Sequence, residues 1–344
     1  MPSEGSSSRS GRSAKITQMV GEAKLLGARG RLARISRRMR AGGPRTQGRT
    51  SEDLAVPATI FPMSTSDTYD YRAELDAAVE AWDARGWPRP GLILVSGSGL
   101  AVDLGEPACG PVPLAELMPF PVHAIEGHPH SVEVLAPLPD RPVLYYRGRL
   151  HSYQGYSAHE VAFPIRLGRL LGARVLILSN ATGGLNPALR PGDLLAIRDQ
   201  INLMGLNPLR GDLPAAWGPR FPDMTDAYDP GLRERAEETA RSLGIHLGEG
   251  TYLGVSGPCY ETPAEVRAYH QLGGDLAGMS TVLEVIAARH MGLRCLGFSL
   301  VTNAAAGLTE GPIDHQEVLT AGKAAAAKLA RLLEALLEDE GLEG

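Results

Sequence analysis

From Asp70 onward the chain alternates short apolar runs with segments whose apolar residues recur at helical spacing. Tyr71–Ala84 carries Leu75, Ala78, Val79 and Trp82 on one helical face, and Gly86 and Pro88 stop it. Gly91–Val95 is a short apolar run ending in Ser-Gly-Ser-Gly, the pattern of a buried strand feeding a loop. Comparable runs predict strands at Val132–Ala136, Val143–Tyr146, Val175–Leu178, Leu194–Ile197, Thr251–Val255 and Cys295–Leu300. Helical patterns fall between several of them, at Ala158–Leu171, Pro230–Leu243, Pro263–Leu272, Val282–His290 and His315–Leu337. Strands apolar on both faces, alternating with helices, predict an α/β fold whose central sheet is covered on both sides. No internal repeat or Pro/Ser/Gly linker interrupts the pattern, so one domain over residues 67–344 is expected.

Composition changes the picture only at the N-terminus. The whole chain is 43% hydrophobic with a formal net charge of −5, as in an ordinary globular protein. Residues 1–62, however, hold 12 Lys+Arg and 4 Asp+Glu, against 22 and 35 in the remainder. This Ser-, Gly- and Arg-rich stretch cannot bury enough apolar surface to fold alone. It reads as a nucleic-acid arm, as a transit peptide, or as a leader upstream of a true start at Met63. Residues 1–66 are accordingly set apart as a basic leader. The acidic remainder opposes a nucleic-acid partner. Three scattered cysteines make neither a disulfide framework nor a zinc cluster. No apolar run is long enough to cross a bilayer, and the cytoplasm is the expected compartment.

The loops after the strands are where an α/β sheet builds its site. Ser96–Leu100 (SGSGL) offers backbone N–H groups and a hydroxyl to an anion. Val102 stands where a dinucleotide fingerprint needs its third glycine, which argues against a nucleotide-cofactor oxidoreductase. Arg149 and His151 share one side of any extended segment and suit an oxyanion, or else form a solvated basic turn. Ser179–Pro187 reads as a turn of small residues. Tyr260 offers a ring to a flat ligand, and Glu261 is either a hydrogen-bond acceptor for it or a helix-start carboxylate. His128 and His130 form an H-x-H without a third ligand at metal spacing, so no metal is expected.

Taken in order, these segments resemble the purine nucleoside phosphorylase family, in its trimeric branch. The resemblance runs from about Tyr71 to Leu337. It is carried by GSGL (97–100), GH (127–128), GRLHSYQGY (148–156), NATGGLNP (180–187), GDLLAIRDQINLMGLNPLRG (192–211), RFPDMTDAYD (220–229), GPCYETPAEVR (257–267), GMSTVLEVIAARHMGLRCLGFSLVTNAAAG (278–307) and HQEVL (315–319). It implies a single α/β domain with a central mixed, partly barrel-like β-sheet flanked by helices. It also implies phosphorolysis of a purine nucleoside to free base and ribose 1-phosphate, in purine salvage.

The resemblance assigns roles residue by residue. Phosphate falls to Ser98, Arg149, His151, Ser280 and the backbone of Ala181, with His128 nearby. Tyr153 and Met279 pack on the ribose, and His315 bonds its 5′-hydroxyl. Glu261 and Asn303 grip the purine while Tyr260 stacks on it; Asn303, Glu261 and His151 are the catalytic set. Inorganic phosphate is a co-substrate and no cofactor is implied. A homotrimer is implied, in which an aromatic side chain closes the neighbour's ribose site; counting along the motifs places Trp217 there. Trp217 sits among Pro214, Ala215, Ala216 and Gly218, which suggests few local contacts to bury its ring. Glu261 with Asn303 matches a 6-oxopurine, and His315 a free 5′-hydroxyl; 5′-methylthioadenosine phosphorylase, the sister family, is the alternative. Ala101, Gln154 and Ala304 depart from the family's commoner residues. Gln154 replaces a carboxylate beside His151 and so bears on that ring's protonation.

Overall fold

The computed structural model describes residues 70–125, 129–308 and 315–343. The leader expected over residues 1–66 and His128 lie outside them. The elements are α1 (Tyr71–Ala84), β1 (Leu92–Val95), β2 (Cys109–Pro113), β3 (Ser131–Leu138), β4 (Arg141–Arg147), α2 (Ala158–Leu170), β5 (Val175–Gly184) and β6 (Leu194–Asn202). They continue with α3 (Pro230–Ser242), β7 (Leu247–Gly254), α4 (Pro263–Gln271), β8 (Leu276–Gly278), α5 (Val282–His290), β9 (Arg294–Ala304) and α6 (His315–Leu337).

Caps fix where the helices begin. Asp70 accepts from the backbone of Arg72 and Ala73, and Asp229 from that of Leu232. Ser157 with Glu160, and Thr262 with Glu265, satisfy each other's backbone N–H groups as capping boxes at α2 and α4.

The nine strands form one mixed sheet in the order β2-β3-β4-β1-β5-β8-β7-β6-β9. β9 pairs back onto β5 over Val175–Gly184, so β5, β8, β7, β6 and β9 close into a five-stranded barrel. Strand alternation sorts the core onto two faces. Ile93, Val95, Leu144, Tyr146, Leu176 and Leu178 pack with α1, α2 and α5. Leu92, Leu94, Val143, Tyr145, Val175 and Ile177 pack with α3 and α6. Among the described residues no helix is long and apolar enough to cross a membrane.

Two expectations need correction. Ser179–Gly184 is not a turn: β5 runs on to Gly184, held in parallel register with β9 as far as Ala304. Small residues there permit the close packing of a closing strand. Trp217, read as short of local contacts, is buried in its own chain. Its ring lies edge-on to Tyr71 at 6.1 Å between centroids, with the Arg166 guanidinium over it at 5.1 Å.

Candidate active site

The carboxyl ends of β1, β4, β5, β8 and β9 converge on a cleft of about 120 Å³. It is lined by the predicted Ser98, Arg149, His151, Tyr153, Ala181, Tyr260, Glu261, Met279, Ser280 and Asn303. Gly97, Asn180, Thr182 and Thr302 line it as well. Gly97 lets the β1 loop lie against β5, because a Cβ there would come within 2.8 Å of the Asn180 Cα. A larger cavity of about 530 Å³, around Asn207, Arg220 and Phe221, holds none of the predicted site residues. The small cleft is therefore where the chemistry is concentrated.

At one end of the cleft a buried cation meets hydroxyl groups. Arg149 is buried, donates from Nη1 to Ser280 Oγ at 3.1 Å, and faces Glu284 Oε1 at 3.3 Å. Ser280 precedes α5, whose N-terminal backbone adds positive potential. Beneath this pair lies a polar network among apolar side chains. Asn180 Nδ2 donates to Thr281 Oγ1 at 2.8 Å, and Ser299 Oγ to Asn180 Oδ1 at 2.7 Å. His151 stacks on Tyr153 with 4.7 Å between ring centroids. Burial, with the charge of Arg149 second, holds the His151 imidazole down at about 3. The ring is thus neutral at physiological pH. Gln154 accepts from the His151 backbone N–H at 3.0 Å, and its side chain favours the imidazolium by less than burial and Arg149 oppose it.

The other end carries an oriented amide, a carboxyl and an aromatic ring. Asn303 is half-buried; its Oδ1 accepts from Thr302 Oγ1 at 3.1 Å and its Nδ2 donates to Ala304 O at 3.0 Å. These bonds fix the amide's orientation and leave one Nδ2 hydrogen for a ligand. Glu261 stands one residue before the N-cap Thr262, and Thr262 with Glu265 already performs the helix-start role. Glu261 is therefore not the carboxylate that caps this helix. Burial pushes its carboxyl above the usual carboxylate range. Tyr260 sits partly exposed at the rim.

Three predicted residues are not seen at the cleft: His128, already placed outside the described residues, His315 and Trp217. His315 opens α6, and its side chain lies outside the described residues. Trp217 lines no part of its own chain's cleft. Asn180, Thr182 and Glu284 went unnoticed as site-builders in the sequence. Their one signal was polarity inside runs that are otherwise small or apolar, as in Val282–Ala287 (VLEVIA).

This arrangement has close counterparts. A model of the phosphorylase superfamily matches residues 123–338. The chain is 46% identical over 252 residues to purine nucleoside phosphorylase 1 of Bacillus subtilis, covering 73% of this chain and 92% of that one. The bovine purine nucleoside phosphorylase is 42% identical over 264 residues, covering 74% and 91%. The chain belongs to the purine nucleoside phosphorylase family. Among solved structures, a Schistosoma purine nucleoside phosphorylase in complex with hypoxanthine superimposes with a TM-score of 0.72 at 34% identity, covering 78% of this chain and 98% of that one. Isoform 2 from Schistosoma mansoni, solved with cytosine and ribose-1-phosphate, gives a TM-score of 0.73 at 33% identity, covering 79% and 98%.

Proposed function

We propose that this chain cleaves 6-oxopurine nucleosides with inorganic phosphate, giving the free base and ribose 1-phosphate. The observation that carries this reading is the pairing, across one cleft, of the Arg149–Ser280 anion end with the Glu261–Asn303 base end. The bond from C1′ to the purine N9 breaks and a phosphate oxygen bonds C1′. The sugar passes through an oxocarbenium-like state, as in glycoside hydrolysis. A phosphate held by Ser98, Arg149, His151, Ser280 and the Ala181 backbone stabilises that cation from below the ring. As the purine leaves, negative charge grows on it. Asn303 donates to N7 and Glu261 holds N1–H, so the charge is met by groups already in place. Tyr153 and Met279 pack on the ribose, Tyr260 on the base, and His128 and His315 complete the phosphate and 5′-hydroxyl ends. His151, neutral, serves as a hydrogen-bonding group rather than as a cation.

We further propose that the enzyme is a cytoplasmic homotrimer working without metal or organic cofactor. Phe221 is 89% exposed at the edge of the 530 Å³ cavity, and Leu203 is also exposed. A second copy of the chain would dry this surface, and cyclic contacts close naturally into a ring. The experiment that tests the activity is a nucleoside panel with and without phosphate, read by chromatography of the released base. Hypoxanthine from inosine and guanine from guanosine should appear only with phosphate. Base release without phosphate, or equal turnover of adenosine, would overturn the reading. Sedimentation equilibrium tests the trimer.

A further inference from the structure

Behind the anion end lies a strained turn that the proposed chemistry does not itself use. Thr281 has φ +67° and ψ −50°, and the Val282 N–H donates to Ser280 O at 2.7 Å. Together these make a γ-turn of the rare, strained hand, centred on a β-branched residue. Strain of this kind persists only where the surroundings hold it, and it clusters at functional sites. Three side chains hold it here. Asn180 Nδ2 donates to Thr281 Oγ1, Arg149 Nη1 donates to the same oxygen at 3.4 Å, and the Thr281 N–H donates to Glu284 Oε2 at 2.9 Å. The other oxygen of Glu284 faces Arg149 Nε at 3.3 Å, and both side chains are at least 96% buried.

We propose that Glu284 is a positioning residue for the phosphate site: one carboxylate anchors both Arg149 and the turn that presents Ser280, and so fixes their spacing. The chemistry requires a carboxylate. One oxygen ion-pairs with the buried Arg149 guanidinium and the other accepts from the Thr281 N–H, so the position needs a negative charge and an acceptor together. A glutamine would keep an acceptor for Thr281 but remove the charge that fixes Arg149, setting an NH₂ group against the guanidinium. Removing the negative charge would by itself favour a phosphate dianion. The loss of register opposes this, because Arg149 and Ser280 must meet the same anion together. A misplacement of about 1 Å can cost two orders of magnitude in rate.

The inference rests on the functional reading above, and the wild-type enzyme separates the two. If wild type shows no phosphate-dependent base release, the functional reading has failed, and phosphate binding by calorimetry still tests the positioning role. With wild type active, Glu284→Gln should raise the KM and the calorimetric Kd for inorganic phosphate about 10-fold or more. Its KM for inosine should stay within about twofold, since no anchor of the base end is touched. Glu284→Asp keeps the charge but is too short to span both donors, and should fall between Gln and wild type. In an Arg149→Lys background the Gln substitution should add much less than it does alone, because Glu284 acts through Arg149. Three results would overturn the proposal: equal losses toward phosphate and inosine with a lowered Tm, fully multiplicative effects in the double variant, or tighter phosphate binding with kcat unchanged. Should the Gln variant not fold, the Asp variant carries the same KM comparison.

Discussion

Asn303→Asp is the most direct probe of how the cleft reads its base. In the structure the amide is oriented by two bonds: Thr302 Oγ1 donates to Oδ1 at 3.1 Å, and Nδ2 donates to Ala304 O at 3.0 Å. An aspartate keeps the first bond and destroys the second, setting a carboxylate oxygen against a carbonyl oxygen. It also deletes the Nδ2 hydrogen that would meet purine N7. A lost hydrogen bond to a developing charge costs about 1.5–3 kcal/mol, and a buried acceptor left unpaired about 1–3 more. At about 1.4 kcal/mol per decade the sum predicts a loss of roughly 10²- to 10⁴-fold in kcat/KM for inosine. Adenosine should lose less, because its 6-amino group is a donor that the new carboxylate can accept. The assay is kcat/KM for both nucleosides at saturating phosphate, by chromatography of hypoxanthine and adenine. At lower pH the aspartate takes up a proton and becomes a donor again, so the inosine loss should shrink. An unchanged adenosine-to-inosine ratio would refute the placement of Asn303 at the base.

Further outcomes follow from other residues. Glu261 must be ionised to accept N1–H and burial raises its pKa; kcat/KM for inosine should therefore fall on the acid side at a pH above the ordinary carboxylate value, and Glu261→Gln should remove that limb. His151 is held at about 3 in the fold against 6.5 unfolded. Below pH 6.5 the unfolded chain takes up the proton first, so stability is lost as pH falls toward 3, at up to about 1.4 kcal/mol per pH unit, and denaturant titrations of His151→Gln should show a flatter profile. A chain beginning at Met63 should keep activity and Tm; loss of either would give the basic leader a role. Trp217 lines no part of its own cleft, so any service at a ribose site must go to a neighbour: mixing Trp217→Ala with Glu261→Ala chains should restore roughly a quarter of the sites, and no restoration would refute sharing.

The helices were legible because their ends are written in side chains. Tyr71–Ala84 is bounded by the Asp70 cap and by Gly86, and its observed limits match the sequence reading. β2 and β8 were not legible. β2 contains Gly110, Pro111 and Pro113 and lies at the sheet edge, and β8 has only three residues, too few for any period. Trp217 misled because sequence neighbours say nothing about Tyr71 and Arg166, which come from elements far away along the chain. Ten of the residues singled out in the sequence line one cleft, whereas what holds them there was not legible. Glu284 looks like one polar residue on an apolar helix until the fold brings Arg149 to it.

The segment most misread, Ser179–Gly184, shows why functional strands defeat local patterns. An apolar strand here would bury well, but it could not line a cleft that takes polar ligands. Asn180 turns inward to Thr281 and Ser299, and Ala181 and Thr182 line the cleft. Gly183 and Gly184 let β5 pair with β8 on one side and β9 on the other. Local propensity thus disagrees with the fold along the stretch where the barrel closes and the site is built. The two facts have one cause. Closing β5 onto β8 and β9 brings Ser280, just after β8, within one cleft of Asn303 near the end of β9. A substitution that opened this seam would separate the two halves of the site before it unfolded the domain. Bulky replacement of Gly184, whose Cβ would already sit 3.3 Å from Val301 Cγ1, should therefore reduce phosphate and base binding together. Glu284→Gln should reduce phosphate binding alone, so the pair of variants separates barrel closure from phosphate positioning.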